Sequence, residues 1–269
     1  MSMSSNNPIK ESEVKIIACI KQVPDSEAKV KAENGQVTWG DAPLVINPFD
    51  EYAVEGALQQ KEATGGTVTA LCIGPGSARD ALKHALAMGA DEAVLVSDPA
   101  LENIDSVGAA RVLAAAIVKI GGADMVMFGR QTLDNGSGLT PPQTARVLGW
   151  PMLGWVGQIK VDAGSVTVER VLEEGRQIVK ADMPAVLSIV QSIGEPRYPS
   201  FMGIRKASKA TIPVWSLADL GVAAPAAVVT REAIMNPPTR ETVCEIIAGE
   251  TPEAIAESLA EKILAEKVL

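Results

Sequence analysis

The sequence predicts an α/β fold: a mostly parallel sheet with helices on both faces, followed by an extended C-terminal arm that ends in a helix. Two observations predict it. Short aliphatic runs alternate with segments of helical length, as in parallel strand–helix–strand units. Apolar residues make up 47% of the 269 residues but aromatic residues only 3%. The core must therefore be aliphatic, which is typical of strands that are buried on both faces.

The first half of the chain provides the alternating elements. Buried strands are predicted at residues 14–20, 67–73, 93–96 and 124–128. Asn47 is predicted to cap a helix that begins at Pro48 and ends near Gly65. A second helix is expected from Ser77 to Gly89, and a third covers about residues 104–120.

The second half changes character after Pro151. Residues 166–171, 176–181 and 185–190 are predicted to be strands joined by short turns, antiparallel to one another and added to the same sheet. Residues 211–215 form a candidate strand. A final helix begins near Thr251, with a stripe formed by Ile255, Leu259, Ile263 and Val268. We expect this stripe to pack on another subunit rather than fold back on the main domain.

These elements predict three regions. Residues 1–13 are expected to be a flexible leader, residues 14–210 a nucleotide-binding α/β domain, and residues 211–269 an arm and helix that pack on a partner subunit.

Charge and cysteine content exclude several classes of protein. The net charge of −9 argues against nucleic-acid binding, which needs basic patches. No apolar run approaches the roughly 20 residues that span a bilayer. The three cysteines form no CxxC pair, so neither zinc nor an iron–sulfur cluster is expected. Free thiols within aliphatic runs indicate a reducing cytoplasm.

No catalytic residue is predicted. The single histidine, His84, has no neighbouring nucleophile or second ligand and is expected to be a helix-packing or surface residue. Gly74-Pro75-Gly76 follows a strand and precedes a helix, but it lacks the third glycine of a dinucleotide fingerprint. It is interpreted either as a tight turn or as a backbone lip over an adenine.

The most informative segment follows the fourth strand. Ligands of open α/β sheets bind at the carboxyl ends of strands, and helix N-termini attract phosphate. Thr140 and Gln143 are predicted to form a capping box, with Pro141 at the first helical position. The polar, glycine-rich loop therefore predicts a nucleotide site, and the alternative is an ordinary surface loop. The candidate residues are Gly129, Gln131, Thr132, Asp134, Asn135, Ser137, Gly138, Leu139 and Thr140.

A second candidate segment ends the last predicted strand of the sheet. Ile193 is expected to be an exposed apolar side chain on a turn, and it is followed by Glu195-Pro196-Arg197-Tyr198. Exposed apolar side chains can be docking anchors, although a single one often has no role.

Five blocks in order resemble the beta subunits of electron-transfer flavoproteins, over about residues 15–220. They are Cys19-Ile20-Lys21-Gln22-Val23-Pro24-Asp25, Ile46-Asn47-Pro48-Phe49-Asp50-Glu51-Tyr52-Ala53-Val54-Glu55, Ala85-Leu86-Ala87-Met88-Gly89-Ala90-Asp91, Gly129-Arg130-Gln131-Thr132-Leu133-Asp134 and Glu195-Pro196-Arg197-Tyr198.

The resemblance implies a Rossmann-like domain of the adenine-nucleotide alpha-hydrolase type, paired with a larger alpha subunit that holds the electron-carrying FAD. This chain would bind AMP or a second FAD. Cys19 and Lys21 would border the adenine, Asn47 and Ile73 would line the pocket, and residues 129–140 would hold the phosphate. The region from Ile193 to Tyr198 would dock acyl-CoA dehydrogenases or other flavin dehydrogenases. Electrons would leave to a quinone reductase, or to ferredoxin or flavodoxin.

The loop departs from the family pattern, because Leu139 replaces the usual Gln and Pro141 the usual Gly. Each lost hydrogen bond to a charged group is worth about 1.5–3 kcal/mol, so the phosphate contact is expected to be weaker or rearranged. Three interpretations stay open. The first is an electron carrier, and the second is an electron-bifurcating protein whose own FAD accepts hydride from NADH. The third, remote interpretation is a stand-alone nucleotide sensor of the universal-stress type.

Overall fold

The computed structural model describes residues 13–229, 232–239 and 244–266. The predicted leader therefore lies outside the described residues except for Glu13, and so does Val268 of the predicted stripe.

The strands of the described residues are β1 (Lys15–Ile20), β2 (Gln22–Pro24), β3 (Lys31–Glu33), β4 (Gln36–Thr38), β5 (Leu44–Ile46), β6 (Thr67–Ile73), β7 (Glu92–Val96), β8 (Met125–Gly129), β9 (Met152–Asp162), β10 (Ser165–Leu172), β11 (Gly175–Asp182), β12 (Ala185–Ile189) and β13 (Val214–Trp215). The helices are α1 (Pro48–Thr64), α2 (Arg79–Met88), α3 (Ser106–Ile120), α4 (Thr140–Leu148), α5 (Phe201–Lys209), α6 (Leu217–Leu220) and α7 (Pro252–Ala265).

The main sheet has the strand order β11-β10-β9-β12-β8-β1-β6-β7-β13. The seven strands β9, β12, β8, β1, β6, β7 and β13 are each parallel to their neighbours in this group. β10 and β11 extend the sheet beyond β9 and are antiparallel. In the centre, Ile17 of β1 lies beside Thr69 of β6 and Val126 of β8. The predicted α/β class with a mostly parallel sheet is confirmed.

Two hydrophobic layers sandwich the sheet. One contains α1 and α2, with α5 packed outside α2, and the other contains α3, α4 and α6. Aliphatic side chains fill both layers, and alternate residues of β1 serve opposite layers, Ile16 in the first and Ile17 in the second. This two-sided burial is what the aliphatic composition predicted.

The strand predicted at 185–190 has a different neighbour from the one expected. β12 runs parallel to both β8 and β9 and lies between them, whereas an antiparallel hairpin strand was predicted. All five residues of β12 are buried, which is typical of an interior parallel strand.

β9 was not predicted from the sequence. Gly154 and Gly157 interrupt its apolar pattern, and glycine is depleted from strands. Its inward residues Leu153 and Val156 nevertheless belong to the core.

The helix boundaries follow their caps. α1 ends at Gly65, whose φ of 71° is the left-handed conformation that glycine adopts without strain. The Asp105 carboxylate caps α3 by accepting the Gly108 N–H at 2.7 Å. Within the described residues, no helix combines the length and the apolar character needed to cross a membrane.

Candidate functional site

A cavity of about 170 Å³ lies at the carboxyl ends of β1, β6 and β8, beside the N-terminus of α3. It occupies the edge of the sheet where open α/β folds bind ligands. One part of its lining is apolar, and the loop between β8 and α4 gives much of its polar side. The apolar wall consists of Cys19, Ile20, Ile73, Ile104, Leu113 and Phe128.

Most of the predicted nucleotide-site residues meet at this cavity. Those that line it are Cys19, Lys21, Ile73, Gly129, Gln131, Thr132, Asn135, Ser137, Gly138 and Thr140. Asn47, Asp134 and Leu139 were also predicted but are not part of the lining.

Asn47 lies behind the loop rather than in the cavity. Its side chain is buried; Nδ2 donates to the Gln131 carbonyl at 2.9 Å, and Oδ1 accepts the Leu133 N–H at 3.1 Å. The predicted side-chain cap of α1 is not formed, because the amide bonds to the loop instead. Asn47 therefore positions the backbone that lines the cavity.

Asp134 and Leu139 are placed differently from the prediction. Asp134 Oδ2 lies 2.6 Å from Lys21 Nζ, which ties the outer loop to the residue after β1. Leu139 is exposed and occupies the N-cap position of α4 without a side-chain bond. Thr140 is already helical, so the predicted capping box with Gln143 is absent, and the Gln143 Oε1 atom is buried without a partner.

Asp50 is a cavity residue that the sequence analysis did not single out. Its buried carboxylate accepts the Lys21 N–H at 2.8 Å and the Gly129 N–H at 3.2 Å, and so joins the ends of β1 and β8. Burial raises the pKa of Asp50 to about 7, although nearby hydrogen bonds and the Lys21 charge act in the opposite direction. The signal in the sequence was an acidic residue in the first turn of the helix that begins at Pro48.

At Gly129, the last residue of β8, a side chain would collide with the start of α1. A Cβ atom there would lie 2.5 Å from Asp50 Oδ1 and 2.6 Å from the Phe49 carbonyl oxygen. The close approach of α1 to the end of β8 therefore requires the missing side chain.

Cys19, which lines the cavity, and Cys72, which lies in the neighbouring strand β6, both have raised pKa values. Burial is the main cause that raises the pKa of Cys19 well above its ordinary value, and burial raises the pKa of Cys72 to about 12. Cys19 thus contributes an apolar, protonated side chain to the wall, and neither thiol is a nucleophile at neutral pH.

The N-terminal turn of α3 was also not predicted as part of the site. Ile104, Asp105, Ser106, Ala109 and Leu113 face the cavity. Besides capping the helix, the Asp105 carboxylate accepts the Val228 N–H at 2.6 Å and the Val229 N–H at 3.1 Å. These backbone bonds, with that from Gly108 the largest cause, lower the pKa of Asp105. The C-terminal arm is therefore fastened at the rim of the cavity.

Two other candidates have structural roles. Gly74-Pro75-Gly76 forms a tight turn and is not among the residues that line the cavity. His84 Nε2 lies 2.8 Å from Glu51 Oε1, a contact between α2 and α1. Among the described residues, no group of three or more side chains could hold a metal ion.

The predicted docking segment is fixed to α1 by charge. Arg197 Nε and Nη2 donate to the buried Glu55 carboxylate at 2.8 and 3.0 Å, and Nη1 lies 2.5 Å from Glu62 Oε1. Ile193 is only 9% exposed and packs against Gly56, which contradicts the expectation of an exposed anchor there. The exposed apolar side chains follow it, with Tyr198 at 95% and Phe201 at 80%.

Comparison with known proteins gives one consistent family. The family model described as "Electron transfer flavoprotein domain" matches residues 37–220. A relative named "Electron transfer flavoprotein subunit beta" from Megasphaera elsdenii is 33% identical over 270 residues, which cover 95% of this chain and 100% of the relative.

Two further relatives extend the comparison. The "Caffeyl-CoA reductase-Etf complex subunit CarD" of Acetobacterium woodii is 33% identical over 95% of this chain and 100% of its own length. An "Electron transfer flavoprotein subunit beta" from Mycobacterium leprae is 39% identical over 77% of this chain and 80% of its own length.

Proposed function

This chain belongs to the electron transfer flavoprotein family as a beta subunit, and we propose that it binds an adenine nucleotide in the cavity at the ends of β1, β6 and β8. The nucleotide is AMP, so that the chain serves as a fixed platform in an electron carrier rather than as a catalyst.

The chemistry of the cavity carries this proposal. An adenine ring fits a wall made of Ile73, Leu113 and Phe128, because a flat aromatic base gains from apolar contact. A phosphate fits the polar side of the cavity, which is lined by Ser137 in the loop and by Thr140 at the start of α4. Pro141 and Pro142 have no N–H group, so the loop rather than the helix supplies most of the donors.

The rest of the redox unit is proposed to come from an alpha subunit that holds FAD. When a flavin is bound, it supplies one- and two-electron transfer, whereas the protein supplies binding and orientation. In this chain, Asp50 and Asn47 keep the nucleotide loop in register with β1, and the protonated thiol of Cys19 adds to the apolar wall that borders the adenine. We place the complex in the cytoplasm, which is consistent with the buried thiols.

Two surfaces are proposed to serve partners. The segment from Glu195 to Phe201 docks a flavin dehydrogenase, with Arg197 fixing the segment and Tyr198 and Phe201 offering exposed apolar contacts. Ile193 supports the segment by packing against Gly56 of α1. The stripe of α7 packs on the alpha subunit, since no residue of α7 is buried in this chain.

A second candidate keeps the same cavity but places the adenylate half of a second FAD in it, which would accept hydride from NADH. The observation that favours it is the similarity to a subunit of a reductase complex in Acetobacterium woodii. The downstream acceptor would then be ferredoxin or flavodoxin, whereas a quinone reductase suits the simple carrier.

One experiment tests the nucleotide and separates the candidates. The complex is co-expressed with its alpha subunit, purified and denatured, and the released nucleotides are identified by chromatography. One AMP and one FAD per heterodimer supports the carrier, and two FAD supports the second candidate. A complex without any adenine nucleotide beyond the alpha-subunit FAD contradicts both.

A filled cavity provides the matched control. Ala109→Leu places a larger side chain in the cavity from α3, whereas Ala115→Leu changes the same helix away from it. We expect the first variant to lose the nucleotide and the second to retain it, with both complexes folded by circular dichroism. Retention of stoichiometric nucleotide by Ala109→Leu would show that the site lies elsewhere.

A further inference from the structure

Asp50 is a buried carboxylate in the lining of the nucleotide cavity. Its oxygen atoms accept the Lys21 N–H at 2.8 Å and the Gly129 N–H at 3.2 Å, which fixes the carboxylate where β1 and β8 end. Within the described residues no cationic side chain pairs with it, and Lys21 Nζ lies 2.6 Å from Asp134 Oδ2 instead. A proton on Asp50 would preserve acceptor capacity for the backbone and add one O–H donor.

The charged groups of the lining provide no spare positive charge. Lys21 is the sole basic residue among the described residues that line the cavity, and its charge is paired with Asp134. The second carboxylate of the lining, Asp105, has a lowered pKa, chiefly because the Gly108 N–H bonds to it, and therefore stays ionised.

The other charged or titratable groups on the elements around Asp50 do not change this balance. The pKa values of Cys19 in β1 and Cys72 in β6 are raised by burial, so both thiols are uncharged at neutral pH. On α1 itself, Glu51 is paired with His84 at 2.8 Å. The guanidinium of Arg130, the residue after Gly129, lies near the rings of Phe49 and Trp155 and is not part of the lining.

An adenylate therefore brings its phosphate charge into a cavity that already holds two carboxyl groups. A cavity of about 170 Å³ is too small to keep the like charges far apart, and a nearby like charge disfavours the ionised form of a carboxyl group. Of the two carboxyl groups, Asp50 is the one that can become neutral near neutral pH, because burial raises its pKa to about 7.

From these observations we propose that Asp50 takes up a proton when the adenylate binds, so that this carboxyl group is neutral in the nucleotide complex. Asp50 is then a positioning residue whose charge responds to the phosphate. This inference rests on the proposed function, because it needs an adenylate in the cavity. Since binding and protonation are linked, the affinity for the adenylate falls as the pH rises above about 7.

The test is calorimetric titration of the heterodimer with AMP after its own nucleotide has been removed. Titrations at pH 8 in two buffers of different ionisation enthalpy give the number of protons taken up, and titrations at pH 7.5 and pH 9 give the affinities. The AMP phosphate loses its second proton near pH 6, so the ligand itself does not titrate in this range.

The size of the effect follows from the repulsion. Like charges about 8 Å apart, at an effective dielectric constant of about 20, would raise the proton affinity of Asp50 roughly thirtyfold. The wild type should then take up roughly half a proton at pH 8 and bind AMP about fivefold more weakly at pH 9 than at pH 7.5.

A matched ligand and two variants serve as controls. Adenosine carries no phosphate charge, so it should bind without proton uptake. Asp50→Asn should bind AMP without proton uptake and with the same affinity at pH 7.5 and pH 9. Asp105→Asn removes the other carboxylate of the lining and should still take up a proton with AMP.

The outcomes separate this inference from the proposed function. A wild-type complex that binds AMP without proton uptake overturns the inference and leaves the proposed function intact. Equal uptake with adenosine and with AMP also overturns it, and this comparison needs no variant to fold. Uptake that persists in Asp50→Asn assigns the proton to another group and overturns it as well. A wild-type complex that binds neither AMP nor adenosine rejects the proposed function and this inference with it.

Discussion

Asn47 shows how one buried amide controls a loop that it does not belong to. We predict that Asn47→Ala lowers the affinity for AMP by about tenfold, because the Gln131 carbonyl and the Leu133 N–H lose their partners. Calorimetric titration of the heterodimer with AMP measures this loss. The free energy of unfolding should fall by about 2 kcal/mol, since two buried polar groups are left unsatisfied.

The two readouts decide whether the role is positional. If Asn47→Ala loses stability in urea unfolding but binds AMP as tightly as the wild type, the loop is ordered by other contacts. Asn47→Asp keeps the acceptor for Leu133 but faces the Gln131 carbonyl with a carboxylate, so it should also bind AMP weakly.

Asp50 makes a prediction about pH. Because burial raises the pKa of Asp50 from 3.8 to about 7, the folded state binds a proton more tightly than the unfolded state. The contribution of Asp50 is fully present below pH 3.8 and is lost as pH rises through about 7. The rise in pKa corresponds to roughly 4 kcal/mol at most.

Urea unfolding between pH 4 and 8 measures this effect. Asp50→Asn should flatten the decline in stability from pH 4 to 7, because the side chain no longer titrates. Asp80→Asn changes an exposed carboxylate of α2 and should leave the slope as in the wild type. Parallel profiles for Asp50→Asn and wild type would mean that Asp50 titrates at its ordinary pKa.

At the scale of elements, α1 is joined to the docking segment by a clamp, in which Arg197 bonds to the carboxylates of Glu55 and Glu62. The two carboxylates differ in burial, so a variant at one is the control for a variant at the other. Glu55 is buried and accepts two side-chain bonds and one backbone bond from Arg197, whereas the Glu62 side chain is 60% exposed. We predict that Glu55→Gln lowers the free energy of unfolding by roughly 2–3 kcal/mol, and Glu62→Gln by less than about 1 kcal/mol. Chemical denaturation of both variants measures the difference.

The pH dependence of the clamp is opposite to that of Asp50. Burial acts to raise the pKa of Glu55, but hydrogen bonds from Arg197 outweigh it and hold the pKa below its ordinary value of 4.5. The stabilisation is therefore fully present above pH 4.5 and is lost as pH falls through the lowered pKa. Chemical denaturation at neutral pH that gives Glu55→Gln and Glu62→Gln the same loss in free energy of unfolding would contradict a clamp centred on Glu55.

Individual elements also explain how far the sequence could predict the fold and the site. β6 and α1 were predictable because aliphatic runs and caps are local signals. β9 and the parallel partners of β12 were not, because pairing is decided by distant strands. In the site, the cavity loop followed from its place after β8, but Asp50, Asp105 and the buried Ile193 depend on contacts that join separate elements.

At the scale of the whole molecule, the C-terminal arm ends in α7, a helix whose apolar side chains are not buried by the rest of the chain. The arm is tied to Asp105 at the cavity rim and to Ala32, whose N–H and carbonyl bond to the Asn236 side chain. Beyond these ties, α7 presents Leu259, Ile263 and Leu264 as exposed side chains. A contiguous stripe of this kind is the surface that an interface with another protein would cover.

We therefore predict that Leu259→Asp with Ile263→Asp weakens association with the alpha subunit by at least about a hundredfold, since two apolar side chains that the partner would bury become charges. Co-purification and sedimentation of the heterodimer measure the loss, while the melting temperature of the isolated chain should be unchanged, because α7 contributes no buried residue to its core. Glu257→Lys with Glu261→Lys changes charges on the opposite face of the helix and should retain the partner. If the stripe variant keeps its partner, the helix is not part of the interface. If the isolated chain with both Asp substitutions instead shows no melting transition, α7 packs back on the sheet of its own chain.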